Sequence, residues 1–153
     1  MLYAVALLAG IVAGSRTFTA PAAVSWAAGM GGLHLEGTSL AFMASKWAAW
    51  IFSALAVVEF VADQLPSTPS RKVPMQFGAR IVSGGFCGAT IGASGASWIA
   101  GLVAGVIGAV IGTYGGAEVR ARMAKAFGRD LPAALIEDVA AVVLGLIVVV
   151  ALR

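Results

Sequence analysis

Gly14-Ser15-Arg16-Thr17-Phe18-Thr19-Ala20-Pro21 decides how this chain is read. The stretch lies inside an apolar run that begins at Leu2 and continues to about Met30. An arginine, two threonines and a proline are costly there if the run sits in a bilayer, because no water is left to solvate them. The run also exceeds the ~20 residues that cross a hydrocarbon core. Thr19 is an N-cap residue type, and Pro21 suits the first turn of a helix. The expectation is a broken first segment: a half-helix over Leu2–Gly14, a second over Ala20–Met30, and Arg16 at the break.

Composition supports a membrane setting. The chain has 153 residues, 60% of them hydrophobic and 11% charged, with mean hydropathy +0.96. A soluble domain is about half apolar and a quarter charged. Residues 1–153 therefore read as one integral membrane domain with the lipid bilayer as its principal partner. The net charge of +3 comes without aromatic–basic interleaving, so no nucleic-acid surface is expected. The single Cys87 excludes an internal disulfide and reads as a packing residue. No basic residue precedes Leu2, so the first run is treated as a retained segment and not a cleaved signal.

Four further segments follow. A polar loop spans Gly31 to Ser39 and places His34, the lone histidine, in solvent. Segment two runs from about Leu40 to Leu65, with Lys46, Trp47 and Trp50 at its first end. Glu59 and Asp63 stand one turn apart near its second end. Pro66, Pro69 and Pro74 stop that helix and make a stiff, basic loop with Arg71 and Lys72. Segment three, about Phe77 to Ala96, has Arg80 just inside its start and Gly84, Gly88 and Gly92 at helical spacing. Segment four begins at Ser97 and carries Gly101, Gly105, Gly108, Gly112 and Gly116. Small residues four apart let helix backbones approach closely in lipid, so these two segments should form a glycine-packed antiparallel hairpin. A phosphate-binding loop is rejected, because GxxxxGK[ST] is missing and the glycines line apolar helical faces. Residues Glu118 to Lys125 extend segment four into water. Asp130 is expected to cap segment five, which runs from Leu131 to Leu152 with Glu137 and Asp138 inside.

Five crossings would put the N-terminus on the side of Arg71, Lys72, Arg120, Arg122, Lys125 and Arg129. By the positive-inside rule that side is cytoplasmic, with the C-terminus external. Trp26, Trp47, Trp50 and Trp98 would then form an aromatic belt at the outer face. Glu59, Asp63, Arg80, Glu137 and Asp138 all fall in the cytoplasmic third; Arg16 is deeper if residues 2–14 cross fully, and level with the acids if they do not.

Three readings fit such a constellation. It is a structural salt-bridge network, or a polar cavity that passes an ion or small solute, or a membrane enzyme using its carboxylates. The enzyme is the least favoured, since HExxH, a nucleophile motif and a buried histidine are all missing. In the transport reading Arg16 and Arg80, helped by Thr17 and Thr19 at the break, hold an anionic group or pair with the acids. Glu59, Asp63, Glu137 and Asp138 bind a cation or proton. No catalytic residue and no cofactor is assigned, and the metal question stays open. A weak echo relates Gly14-Ser15-Arg16 to Gly78-Ala79-Arg80, each opening a Gly/Ala-rich helix. It suggests that Arg16 also stands at a helix start, with residues 2–14 as an added half-helix.

The order Gly14-x-Arg16-Thr17-x-Thr19-x-Pro21-Ala22, Glu59-x-x-x-Asp63-x-x-Pro66-x-x-Pro69-x-Arg71, Arg80-x-x-x-Gly84 and Glu137-Asp138 resembles the bacterial membrane family named domain of unknown function 4126. The resemblance covers nearly the whole chain. It implies a small inner-membrane protein and no established activity, substrate or cofactor. The fold expected is therefore an all-α polytopic bundle of about five segments, the first one broken. The function expected is transporter- or channel-like, with a non-catalytic structural or accessory membrane protein as the alternative. Spare glycine faces leave room for a homo-oligomer.

Overall fold

The computed structural model describes residues 1–64, 72–95 and 97–153, and every regular element among them is helical. The elements are α1 (Leu2–Ser15), α2 (Thr19–Gly29), a short 3-10 turn (Ala41–Ala44), α3 (Lys46–Ala62), α4 (Pro74–Ala93), α5 (Trp98–Phe127) and α6 (Asp130–Ala151). The first apolar run is broken where expected, with α1 ending at Ser15 and α2 starting at Thr19. Pro21 falls in the first turn of α2, where its missing N–H costs nothing. Thr19 is not the cap: Phe18 takes that position, and the Thr19 hydroxyl is buried without a hydrogen-bond partner among the described residues.

The break reverses the chain. Leu2 lies against Gly95 at the α4–α5 turn, and Thr38, Ser39 and Leu40, beyond α2, line the same cavity as Gly92, Gly95, Ser97 and Trp98. Both ends of the α1–α2 pair therefore sit at one end of the bundle, and residues 16–18 form a hairpin tip at the other. The remaining helices alternate in direction. Gly32 packs on the Leu152 carbonyl, which brings the C-terminus to the N-terminal end. This corrects the five-crossing topology: the N-terminus lies opposite Lys72, Arg120 and Arg129, not beside them. The physical reason is local: residues 16–18 leave the helix, with Arg16 extended at φ −139° and ψ 113°, and α2 starts back along the bundle from there.

Residues 2–14 are not an appendage. α1 packs against α2, α4, α5 and α6, and seven of its residues are buried. Its glycines make this possible. Gly10 and Gly14 face Gly105, Ala109 and Gly112 of α5, while Gly84 of α4 packs on Gly105 and Gly10. A methyl group at Gly88 or Gly101 would collide with the other residue's carbonyl oxygen, and one at Gly108 or Gly112 with the α1 backbone. The close approach expected of α4 and α5 is thus a three-helix contact that includes α1. Cys87 is fully buried beside it.

Two boundaries differ from expectation. Segment two becomes helical only at Lys46, capped by the Ser45 side chain on the Ala48 N–H, because residues 41–44 take the tighter 3-10 form. Asp130 is the first residue of α6 and not its cap; its carboxylate reaches Arg120 instead. His34 is exposed as expected, but its neighbours Leu33 and Leu35 are buried in the apolar core. The expected stiff loop at Pro66, Pro69 and Arg71 lies outside the described residues.

Around an apolar core, large apolar side chains also cover the outside, and several polar ones lie inside. Trp47, Val58, Val82, Ile99, Val139 and Val150 face outward, while Arg16, Ser25, Arg80, Thr90, Thr113 and Glu137 are buried. α5 and α6 are long and apolar enough to cross a membrane.

Gly105→Val should lower the thermal midpoint of the purified protein by forcing α1, α4 and α5 apart, at a cost of about 1–3 kcal/mol or more. Gly78→Ala, which meets nothing within 4 Å, should be neutral or slightly stabilising. Equal effects of the two would contradict the close packing.

Candidate functional site

The site grows out of the hairpin tip. Arg16 has left the helix, with φ −139° and ψ 113°, although its N–H still donates to the Val12 carbonyl at 2.7 Å. That extended residue turns the side chain inward, where it is fully buried. Its two terminal nitrogens separate onto two helices. Nη1 donates to Asp63, the C-cap of α3, and Nη2 donates to Asp138 of α6. Glu137 Oε2 stands 4.0 Å from Nη2, and the Phe60 ring centre lies 5.6 Å from the guanidinium carbon.

The broken helix ends are themselves filled. A helix leaves carbonyls unpaired at its C-terminus and N–H groups unpaired at its N-terminus, and each is expensive away from water. Arg80, on the second turn of α4, donates from Nη1 to the Gly14 and Ser15 carbonyls at 3.1 and 2.6 Å. Glu59 accepts from the Thr17 and Phe18 N–H groups at 2.7 and 2.9 Å. A cation closes the negative end of α1 and an anion the positive end of α2, which is also the favourable order for the helix dipoles. The two side chains approach each other to 3.9 Å. Ser83 Oγ donates to the Thr17 carbonyl at 2.5 Å and completes the cradle.

A third arginine joins from α5. Arg120 donates to Asp130 from Nε and Nη2, at 3.0 and 2.5 Å, and from Nη1 to Glu137 Oε2 at 3.4 Å. Arg16, Arg80, Glu59, Asp63, Glu137 and Asp138 thus come together as the sequence suggested. Thr17 takes part through its backbone, and Thr19 borders the neighbouring groove formed with α3 and α6. Arg120, Ser83 and Phe60 were not singled out in the sequence. Arg120 read as part of a water-exposed extension, and only its spacing from Asp130 across the Gly128 turn hinted at a pair. The Gly-Ser-Arg echo does not extend to geometry: Arg16 stands in an extended link, whereas Arg80 is inside α4. Among the described residues no three His, Cys, Asp or Glu side chains gather as a metal site.

An all-helical chain with a buried charge cluster at a helix break is the class that fold and site define. Residues 3–151 match the model of a family described as a domain of unknown function (DUF4126), and the chain belongs to that family. No curated protein and no solved structure matches it.

Arg16→Met should leave the partly buried Asp63 and Asp138 without their shared partner and cost about 2–4 kcal/mol. Arg122→Ala, which removes an exposed pair with Glu118, should stay within about 0.5 kcal/mol. Neutralising all three with Arg16→Met, Asp63→Asn and Asp138→Asn should recover much of the loss. Thermal unfolding in one detergent checks all of these, and an Arg16→Met loss no larger than that of Arg122→Ala would refute the pairing.

Proposed function

We propose that this chain is a small integral membrane protein of transporter- or channel-like type that moves an ion or small solute, with the cluster around Arg16 as its binding centre. α3 to α6 would form the membrane-spanning shell, and the α1–α2 hairpin would enter from one face without crossing. α1 is about 21 Å long at 1.5 Å per residue, so its tip would lie some two thirds of the way across a ~30 Å core. Lys72, Arg120, Arg122, Lys125 and Arg129 gather at the tip end, which the positive-inside rule makes cytoplasmic. Both termini and the four tryptophans then face outward, the reverse of the N-terminal orientation expected from sequence. A bacterial inner membrane is the setting that the family resemblance suggests.

The observation that carries this reading is the gathering of charged side chains at a helix break inside the bundle. Among the described residues, Arg16, Arg80 and Arg120 are shared by Glu59, Asp63, Asp130, Glu137 and Asp138. Charged side chains gathered inside a helical bundle are costly and commonly mark a route or binding centre for an ion or small solute. A second reading, a non-catalytic packing network, is favoured by a different observation: Arg80 and Glu59 already occupy the helix ends that a discontinuous helix would offer a solute.

Proteoliposomes loaded with a pH-sensitive dye separate the two readings. Under an imposed ion gradient the protein should pass protons, or sodium or potassium ions, above the rate of empty vesicles. Asp138→Asn, which keeps the hydrogen-bonding shape, should cut that flux at least about tenfold while the protein stays folded. Wild-type vesicles no leakier than empty ones to all three ions would leave the packing network as the function.

A further inference from the structure

We propose that the cavity between α1, α5 and α6 is the aqueous approach to the buried cluster, and that Arg120 is the residue that closes it. The proposal rests on the ion-site reading above and adds a route and a gate to it. The cavity measures about 320 Å³ and runs along the α5–α6 groove. Gly112 and Gly116 keep the α5 wall low, Ser15 contributes from α1, and Glu137 from α6. One end lies at Ile111 and Leu144, among apolar residues. The other lies at Arg120 and Met123, where α5 passes into its charged stretch of Glu118, Arg122 and Lys125.

Arg120 stands at that polar end and reaches both ways. Outward it holds Asp130, whose side chain is 62% exposed; inward it holds Glu137, whose side chain is 8% exposed. Glu137 in turn neighbours Arg16, which holds Asp63 and Asp138. An unbroken series of charged groups therefore leads from water to the centre of the molecule, with Arg120 as its only member that touches both an exposed and a buried carboxylate among the pairs described. A cation approaching Glu137 from the polar end meets a fixed positive charge and a filled constriction. When Arg120 swings out on Asp130, the constriction opens and the inner carboxylate faces water. The remaining walls are mostly apolar, and a narrow apolar passage conducts only when wide enough to stay wet. The ligand that suits this route is a proton or a small monovalent cation, since the route ends on carboxylates.

Ser15 allows the route to be probed without touching the charges. It is half-buried on the cavity wall, and its hydroxyl donates to the Val12 carbonyl of its own helix, at 2.9 Å. Ser15→Cys in nanodiscs is treated with a permanently cationic methanethiosulfonate, which needs water to reach a thiol, and adducts are counted by mass spectrometry. The parent chain, whose buried Cys87 is its only thiol, is the blank. Ser15→Cys should react slowly, and Arg120→Ala should speed the reaction at least tenfold while Cys87 stays unmodified. A Ser15→Cys thiol that stays unreactive in both backgrounds would show that the cavity is dry, and equal rates would show that Arg120 does not close it; either overturns the proposal. Should Arg120→Ala expose Cys87, the decision passes to Arg120→Lys, which keeps the charge but cannot bridge both carboxylates. An unchanged rate there overturns the proposal, and a raised one upholds it. Labelling does not depend on flux. Arg120-dependent labelling without flux keeps the route and discards transport, and flux without it does the reverse.

Discussion

A helix that stops inside an apolar interior must find partners for its loose backbone groups, and the Arg80–Glu59 pair provides them. The Gly14 and Ser15 carbonyls and the Thr17 and Phe18 N–H groups are satisfied by two side chains of opposite sign from two different helices. Once α1 is held open in this way, Arg16 has nowhere to go but inward. Its fork then ties α3 to α6 through Asp63 and Asp138. The charge cluster follows from the helix break.

The glycine contacts set where that break falls. Because α1 approaches α4 and α5 almost backbone to backbone, Arg80 is brought level with the end of α1. Bulkier residues at Gly10, Gly84 or Gly105 would move the guanidinium away from the carbonyls it caps. Packing and electrostatics therefore depend on each other: the small residues position the charges, and the charges hold together the hairpin whose first arm the small residues bury.

Much of this was legible in the sequence. Polar residues inside an apolar run are rare enough that Arg16, Glu59, Asp63, Arg80, Glu137 and Asp138 identified themselves by cost alone, and the fold brings them together. Glycine spacing correctly pointed to the α4–α5 contact. The direction of α1 was not legible. Hydropathy cannot distinguish a broken crossing from a hairpin, because both have the same apolar profile, and the difference lies in the few backbone angles around Arg16. The role of Arg120 was hidden for a related reason. A basic residue on a helix extension resembles a solvated one until the turn at Gly128 brings Asp130 and Glu137 against it.

The central claim is that Glu59 caps the start of α2 across the bundle. Hydrogen exchange over residues 15–19 measures this directly, since N–H groups at a helix start ordinarily exchange quickly. The Thr17 and Phe18 amides should be protected in the wild-type protein and exposed by Glu59→Ala, while amides in the middle of α6 keep their protection. Rapid exchange of Thr17 and Phe18 in the wild-type protein would contradict the account.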